Sequence, residues 1–477
     1  MFDSIWNHSS SPFSQARVRE RAYRLALSLL ACLGRHTITG MLCAGGRQFV
    51  DWSADYRLFS RTQWSPRQLF EPVLQGVLDV VDRSSPLVAA LDDTYLKKTG
   101  TKIPGVAYRR DPMSPVFRPN FIRALRFCQL SATVPLEQAL GPARGIPVRF
   151  EHVPPVPKPG RNAGPQERAE YRRRLREESV STHGARMIQS LRNSVDASPP
   201  EHNRPLVVTA DGSYCNGTVI KSLPARTTLI ARIRQDAKLH SIPTVQPSTG
   251  RPRLYGDLLP TPDQLRRDAS VQWITVDAYA TGKIHHFKVK RCAPVLWRKA
   301  GSDRPLQLVI ISPLRYNRSR DAKRLYRRPA YLICTDPELP LHQLLQYYLW
   351  RWDIEVNHRD EKQIIGVGQA QVRSPQAVER VPAFAVAAYA TLLLSAVHAS
   401  RRGTLGHQPP PPKWRRGQPQ HRVPTQQLLH TIRSELWRDA IDSRPLSFSD
   451  FASLPTSNTK PRKPRLPLAA ALMYATN

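Results

Sequence analysis

The sequence predicts a mixed α/β chain with more than one structural unit, and three observations carry that expectation. Two apolar runs, Pro86-Leu-Val-Ala-Ala-Leu-Asp-Asp93 and Pro205-Leu-Val-Val-Thr-Ala-Asp211, each close on acids and read as buried strands. Residues 226–335 contain several alternating apolar stretches suited to antiparallel strands. Helical spacing dominates residues 15–80 and the region after about Leu341. At 477 residues the chain is too long for one small core, so two or three units are the default.

Taken in order, residues 17–33 carry apolar side chains at helical spacing until Gly34 interrupts them. A second short helix follows, with Thr37 or Thr39 as its cap, and ends at Gly45-Gly46. Two short helices with basic residues between them suit a DNA-end-binding region over 1–82, and a helical cap on the next unit suits them equally. Strands are expected at 103–108 and 121–133, a Pro/Gly-rich loop at 153–166, and a basic helical region at 167–195 that includes Arg172, Arg173 and Arg174. Further strands fall at 273–279, 286–290, 306–311 and 331–334. A motif helix then starts near Leu341, an apolar helix covers about 374–400, and a short helix covers about 425–439. A basic linker at 409–416 and a Pro/Lys/Arg-rich tail complete the chain. The corresponding division is 1–82, 83–225, 226–335, 336–402 and 403–477. No glycine-rich nucleotide loop is present, so the chemistry needs no ATP.

Composition restricts the partner. Lys plus Arg number 71 against 37 Asp plus Glu, a formal charge of +34. Self-repulsion of that size favours an anionic partner, and basic residues spread along the whole chain point to nucleic acid. Six scattered cysteines offer no zinc-site spacing and read as reduced, buried thiols of a cytoplasmic protein. The apolar run 383–397 is shorter than the ~20 residues a membrane span needs, and the first residues lack signal-peptide order. No membrane association is expected.

The segment Tyr348-Leu-Trp-Arg351-Trp-Asp-Ile-Glu355-Val-Asn-His-Arg-Asp-Glu-Lys362 is the most informative. On a helix, Tyr348, Arg351, Glu355 and Lys362 fall within about 60° of one another along a ~21 Å stripe. A carboxylate flanked by those groups can hold a metal beside a phosphate backbone; a solvated face with i,i+4 ion pairs is the plainer alternative. Trp350 and Trp352 are expected to bury the other side. Two strand-end acids plus one helix acid is what a two-metal phosphoryl-transfer site requires, since Mg²⁺ or Mn²⁺ takes oxygen ligands and few protein carboxylates. The candidates are Asp93, Asp211 and Glu355, and either aspartate alone also reads as a strand-end turn residue.

These residues meet a family pattern. Leu91-Asp-Asp-Thr94 with Lys97-Lys98-Thr-Gly100, Val208-Thr-Ala-Asp211-Gly-Ser213, and Tyr348-x2-Arg351-x3-Glu355-x6-Lys362 resemble prokaryotic insertion-sequence transposases of the DDE class with a Y-R-E-K signature. The stretch Gln363–Arg373 is similar as well, and the resemblance covers about residues 15–440. It implies a ribonuclease H-like catalytic domain with a β-rich insertion at 226–335. It implies Asp93, Asp211 and Glu355 as ligands of two Mg²⁺ or Mn²⁺ ions; Asp92 is the rival of Asp93, and the family's D-T dipeptide favours Asp93. Tyr348, Arg351 and Lys362 would contact phosphates, and a flipped base would stack on an aromatic of the insertion, Trp297 first and Trp273 second, although tryptophan in a β-rich region is more often core. The implied activity is cut-and-paste transposition on double-stranded DNA, at terminal inverted repeats and target, by a homodimer on paired ends in the bacterial nucleoid. A DNA-binding derivative without catalysis and a ribonuclease H-like nuclease are the alternatives.

Overall fold

Five helices open the chain: α1 (Phe2–Trp6), α2 (Ala16–Ala31), α3 (Ile38–Ala44), α4 (Ser53–Ser60) and α5 (Glu71–Val80). The computed structural model describes residues 1–8, 11–115, 117–137, 141–244, 250–316, 325–405 and 422–442, with side chains not described for residues 316 and 437–442. Thr37 is the cap of α3, its hydroxyl accepting from Gly40 N at 3.0 Å. These helices build no core of their own. Trp6 and Phe59 both meet Phe384 edge-on, at ring-centroid distances of 5.4 and 5.2 Å, and Phe384 lies on the long helix α12 (Pro375–Arg401). The arrangement is a helical cap on the main core.

The sheet starts with β1 (Leu87–Lys97), β2 (Ala107–Arg110), β3 (Phe121–Pro135) and β4 (Ala143–His152). Helices α6 (Pro165–Glu177) and α7 (Val180–Asp196) lead to β5 (Leu206–Ala210), and α8 (Gly217–Lys221) leads to β6 (Thr227–Arg232). After α9 (Pro262–Arg267) come β7 (Ile274–Ala280), β8 (Lys283–Trp297), β9 (Gly301–Ile311), the small pair β10 (Arg315–Tyr316) and β11 (Leu325–Tyr326), and β12 (Ala330–Cys334). The large sheet runs β2-β3-β1-β5-β6-β12-β9-β8-β7, with β4 also on β3. Strand β1 is antiparallel to β3 and parallel to β5, and β5 is parallel to β6. Helical crossovers between β4, β5 and β6 permit those parallel pairings.

Two boundaries shift. The cut at 225/226 falls before β6, which belongs beside β5, so the β-rich stretch extends the same sheet through β12 on β6. The strand expected at 103–108 begins only at Ala107, and β4 has no counterpart in the sequence reading.

Helices α10 (Leu341–Trp350) and α11 (Trp352–Gln363) replace the single motif helix, with Arg351 at their junction. There the backbone tightens: Arg351 N donates to Tyr348 O and Ile354 N to Arg351 O, each at 3.2 Å. Trp350 is buried and its Nε1 donates to Gly141 O at 2.9 Å, whereas Trp352 is exposed, which corrects the expectation for that residue. Helix α12 is long and apolar enough to cross a membrane, so shortness is no argument against a span. Instead, 83% of its most apolar window is buried inside the protein, and it is the central core helix. Helix α13 (Thr425–Asp442) ends the described chain; the linker at 409–416 and the tail lie outside the described residues.

Gly145 on β4 sets how closely α11 can approach. A Cβ there would stand 2.9 Å from Asp353 Cβ and 3.1 Å from Asn357 Oδ1. Gly145→Ala is therefore expected to cost about 1–3 kcal/mol through overpacking. Urea unfolding checks it, and an unchanged midpoint would contradict this packing.

Candidate active site

Side chains alternate between the two faces along β1, so Asp92 and Asp93 point in opposite directions. Register decides which faces what. Leu91 pairs with Ala210 in the parallel β1–β5 ladder, so the next residues, Asp92 and Asp211, emerge side by side at the carboxyl ends of the two strands. Across β3, Asp92 pairs with Gln129, whose neighbour on the same face, Ser131, donates to Asn357 Oδ1 of α11 at 2.9 Å. Asp92 therefore faces α11. Arg351 Nη1 stands 3.5 Å from Asp92 Oδ2 while its Nη2 donates to Glu355 Oε1 at 2.5 Å, so one guanidinium bridges the two acids. Burial pushes the Asp92 carboxyl up to about 7; Arg351 opposes the rise and the Asp211 charge adds to it.

Asp93 lies on the other face. Its Oδ2 accepts from Arg126 Nε at 2.8 Å and its Oδ1 from the Tyr214 hydroxyl at 3.2 Å, and it pairs across β3 with Cys128. Asp93 nevertheless lines the same cleft as Asp92, Asp211 and Glu355. The dipeptide motif fits both aspartates, and the pleat turns Asp92 toward α11 and Asp93 toward Arg126 and Tyr214.

Helix α11 has a clamped face and a presented face. Asp353 Oδ2 accepts from Gly145 N at 3.1 Å, Asn357 Nδ2 donates to Gly145 O at 3.1 Å, and Asp360 Oδ2 accepts from Thr425 Oγ1 at 2.6 Å. Those positions, spaced four and three apart, lock the helix to β4 and α13. The opposite positions, Glu355, His358 and Lys362, line a cleft of about 1000 Å³ together with Asp92 and Asp211. Arg351 lies against the Tyr348 ring, 6.0 Å from its centroid, and burial raises the Tyr348 hydroxyl above its ordinary value. The stripe predicted from helical spacing thus survives the break at Arg351.

The cleft mixes charges: Asp92, Asp93, Asp111, Asp211 and Glu355 stand among Arg35, Lys97, Arg126, Arg359 and Lys362. Burial holds Lys362 below its ordinary value, with Glu361 and Asp92 opposing that shift. His358 is buried with its Nε2 unpartnered, and burial plus the charges of Lys362 and Arg351 depress it to about 3, so its imidazole is neutral. The sequence reading missed His358, although its place three residues after Glu355 marks the same face. Lys98, part of the first motif, is structural: its Nζ donates to Gly368 O at 2.7 Å and Ala370 O at 2.6 Å, tying down the chain after α11.

Trp297 is not brought to the cleft. It is buried in the core, with Lys299 Nζ 5.5 Å from its ring centroid. Trp273 is exposed, with Lys290 Nζ 4.8 Å from its ring centroid, and it does not line the cleft.

Among the described residues no three His, Cys, Asp or Glu side chains close into a compact metal cluster. The donor set still fits a hard divalent cation: Asp92, Asp211 and Glu355 offer oxygen only, and the half-buried Asp92 carboxyl stands where added positive charge would return it to its ionised form.

Residues 10–302 match the family model described as DDE superfamily endonuclease. The match spans Asp92, Asp93 and Asp211 and ends before α11. A comparison with curated proteins finds no match.

Glu361, on the buried side of α11 beside Gln129, is fully enclosed, and burial lifts its carboxyl to about 8. A carboxyl raised on folding stabilises below its unfolded value and loses that contribution as pH climbs through the folded one. Stability is thus expected to fall between about pH 4 and 8, by up to a few kcal/mol from this group. Glu361→Gln is expected to flatten the fall, as read from urea midpoints across that range. An identical pH profile in the variant would exclude Glu361 as the cause.

Proposed function

The chain belongs to the DDE superfamily of endonucleases, and on that premise we propose that this transposase-like nuclease is the cut-and-paste transposase of an insertion sequence. The observation that carries the reading is the convergence of Asp92, Asp211 and Glu355, with Asp93 beside them, on one cleft at the ends of parallel strands, where Arg351 bridges Asp92 and Glu355. We read β4-β3-β1-β5-β6, three antiparallel strands continued by two parallel ones, as a ribonuclease H-like core. The family uses divalent metal ions, and we assign Asp92, Asp211 and Glu355 as their ligands, in place of Asp93.

Two Mg²⁺ or Mn²⁺ ions bound there would supply activation of the attacking oxygen and stabilisation of the leaving one. The chain's own residues do the rest. Arg351 fixes the Asp92 and Glu355 carboxylates relative to each other and offers its remaining N–H groups to a phosphate. Lys362 and Tyr348 extend that contact along the backbone at either end of the stripe. His358, neutral and facing the cleft, can accept or donate one hydrogen bond without adding charge. Hydrolysis at an element end would free a 3′-hydroxyl, and the same carboxylates would hold that hydroxyl in line for attack on the target strand. The substrate is double-stranded DNA, the terminal inverted repeats first and then the target, held by a homodimer on paired ends in the bacterial cytoplasm. The net charge of +34 suits that partner.

Purified protein incubated with Mg²⁺ and a labelled duplex carrying the element end is expected to cut at that end. Asp92→Asn, Asp211→Asn and Glu355→Gln are each expected to abolish cutting, and Asp93→Asn to retain most of it. An inactive Asp93→Asn beside an active Asp92→Asn would reverse the assignment. Lys362→Ala is expected to weaken end binding and lower the log K versus log salt slope by about 0.9, the loss of one phosphate contact. An unchanged slope would remove Lys362 from the phosphate path.

A further inference from the structure

The hairpin formed by β2, β3 and their connecting loop carries an exposed face that the chemistry above does not use. Tyr108 pairs across the strands with Arg123, and Arg110 with Phe121, so these four side chains share one face. Tyr108 is 74% exposed and Phe121 62%, and in the loop Met113 and Phe117 are each 89% exposed. Single exposed apolar residues are ordinary, but four large ones on one short hairpin form a patch. The Arg123 guanidinium lies 5.8 Å from the Tyr108 ring centroid, so cation and aromatic are interleaved.

The hairpin is held in place. Asp111 Oδ1 accepts from Met113 N at 3.0 Å, and Ser114 Oγ donates to Asp111 O at 2.6 Å. Asp111 N donates to Asn120 O at 2.8 Å, and Lys97 Nζ stands 3.5 Å from Asp111 Oδ2. On the inner side Arg109 reaches the Tyr95 ring on β1, 6.0 Å from its centroid. Of the patch residues, Met113 lines the same cleft as Asp92, Asp211 and Glu355, together with its neighbour Pro112, so the loop end of the patch lies at the mouth of the candidate active site.

Charge and chemistry select one occupant. A phosphate backbone needs only the arginines; exposed aromatic rings and a thioether gain by covering base faces, which a paired duplex keeps inside its stack. We propose that this hairpin receives unpaired bases of the DNA strand entering the cleft, with Phe117 and Met113 stacking at the tip and Tyr108 and Phe121 behind them. This rests on the nuclease reading above. It moves base stacking from the buried Trp297 to the exposed hairpin.

The test compares the full chain with Met113→Ala/Phe117→Ala and with Phe117→Trp, in metal-free buffer containing EDTA. Fluorescence anisotropy measures binding to a blunt duplex and to the same duplex with a few unpaired nucleotides at one end. The parent chain is expected to prefer the forked DNA. The double alanine variant is expected to lose about fivefold to 100-fold on the fork while staying within about twofold on the blunt duplex, the range of one stacked base. Phe117→Trp is expected to bind the fork at least as well as the parent. Equal losses on both DNAs, or none on the fork, would overturn the proposal. So would a changed sedimentation coefficient with unchanged fork binding, which would assign the patch to a contact between copies. A parent chain that binds neither DNA would overturn the nuclease reading itself, and the hairpin's role with it.

Discussion

The register between β1 and β5 is the constraint on which the rest of the site depends. Pairing Leu91 with Ala210 brings Asp92 and Asp211 out of two parallel strands next to each other, on the face that α11 covers. A shift of one residue would turn Asp93 toward α11 and send Asp92 into the environment of Arg126 and Tyr214. That slip is opposed by every other side chain on both strands: Leu87, Leu91, Leu206 and Val208 fill one core, while Val88 and Val207 fill the other. Fold and site are therefore specified by the same apolar residues, and the carboxylates occupy positions that hydrophobic packing has already fixed.

Helix α11 converts that arrangement into a cleft. Its inner residues are locked by a continuous polar chain in which Ser131, Asn357 and Tyr389 meet by hydrogen bonds, with Thr425 and Asp360 beyond. Networks of this kind fix orientation more than they add stability. The consequence lies on the outer face, where Arg351 holds two carboxylates that would otherwise repel. Buried beside them, Glu361 and His358 are both driven toward their neutral forms, while the inner acids Asp353 and Asp360 are paired with Arg422 and Arg359.

Much of this was legible in the sequence. Apolar runs ending on acids located β1 and β5, and helical spacing placed Tyr348, Arg351, Glu355 and Lys362 together despite the junction at Arg351. Two adjacent acids were not separable, because both satisfy the motif, and which faces α11 depends on the pleat and the ladder register. Strand β4 escaped because it carries Arg144 and Arg149, which are polar in any pattern yet buried; Arg149 is satisfied by Glu71 and Ser194, partners 78 and 45 residues away. The N-terminal helices carried no sign that their apolar faces close on Phe384, more than 300 positions along the chain. The resemblance alone pointed to an aromatic of the β-rich stretch for base stacking, and burial of Trp297 is a property only the folded chain reveals.

The most direct measurement of the central claim is calorimetric titration of Mn²⁺ into the parent chain and into the variants Asp92→Asn and Asp93→Asn, each shown to be folded by circular dichroism. Binding in the parent that disappears with Asp92→Asn and persists with Asp93→Asn is the expected result. Binding that persists with Asp92→Asn and disappears with Asp93→Asn would contradict the assignment of the cleft face as the metal face.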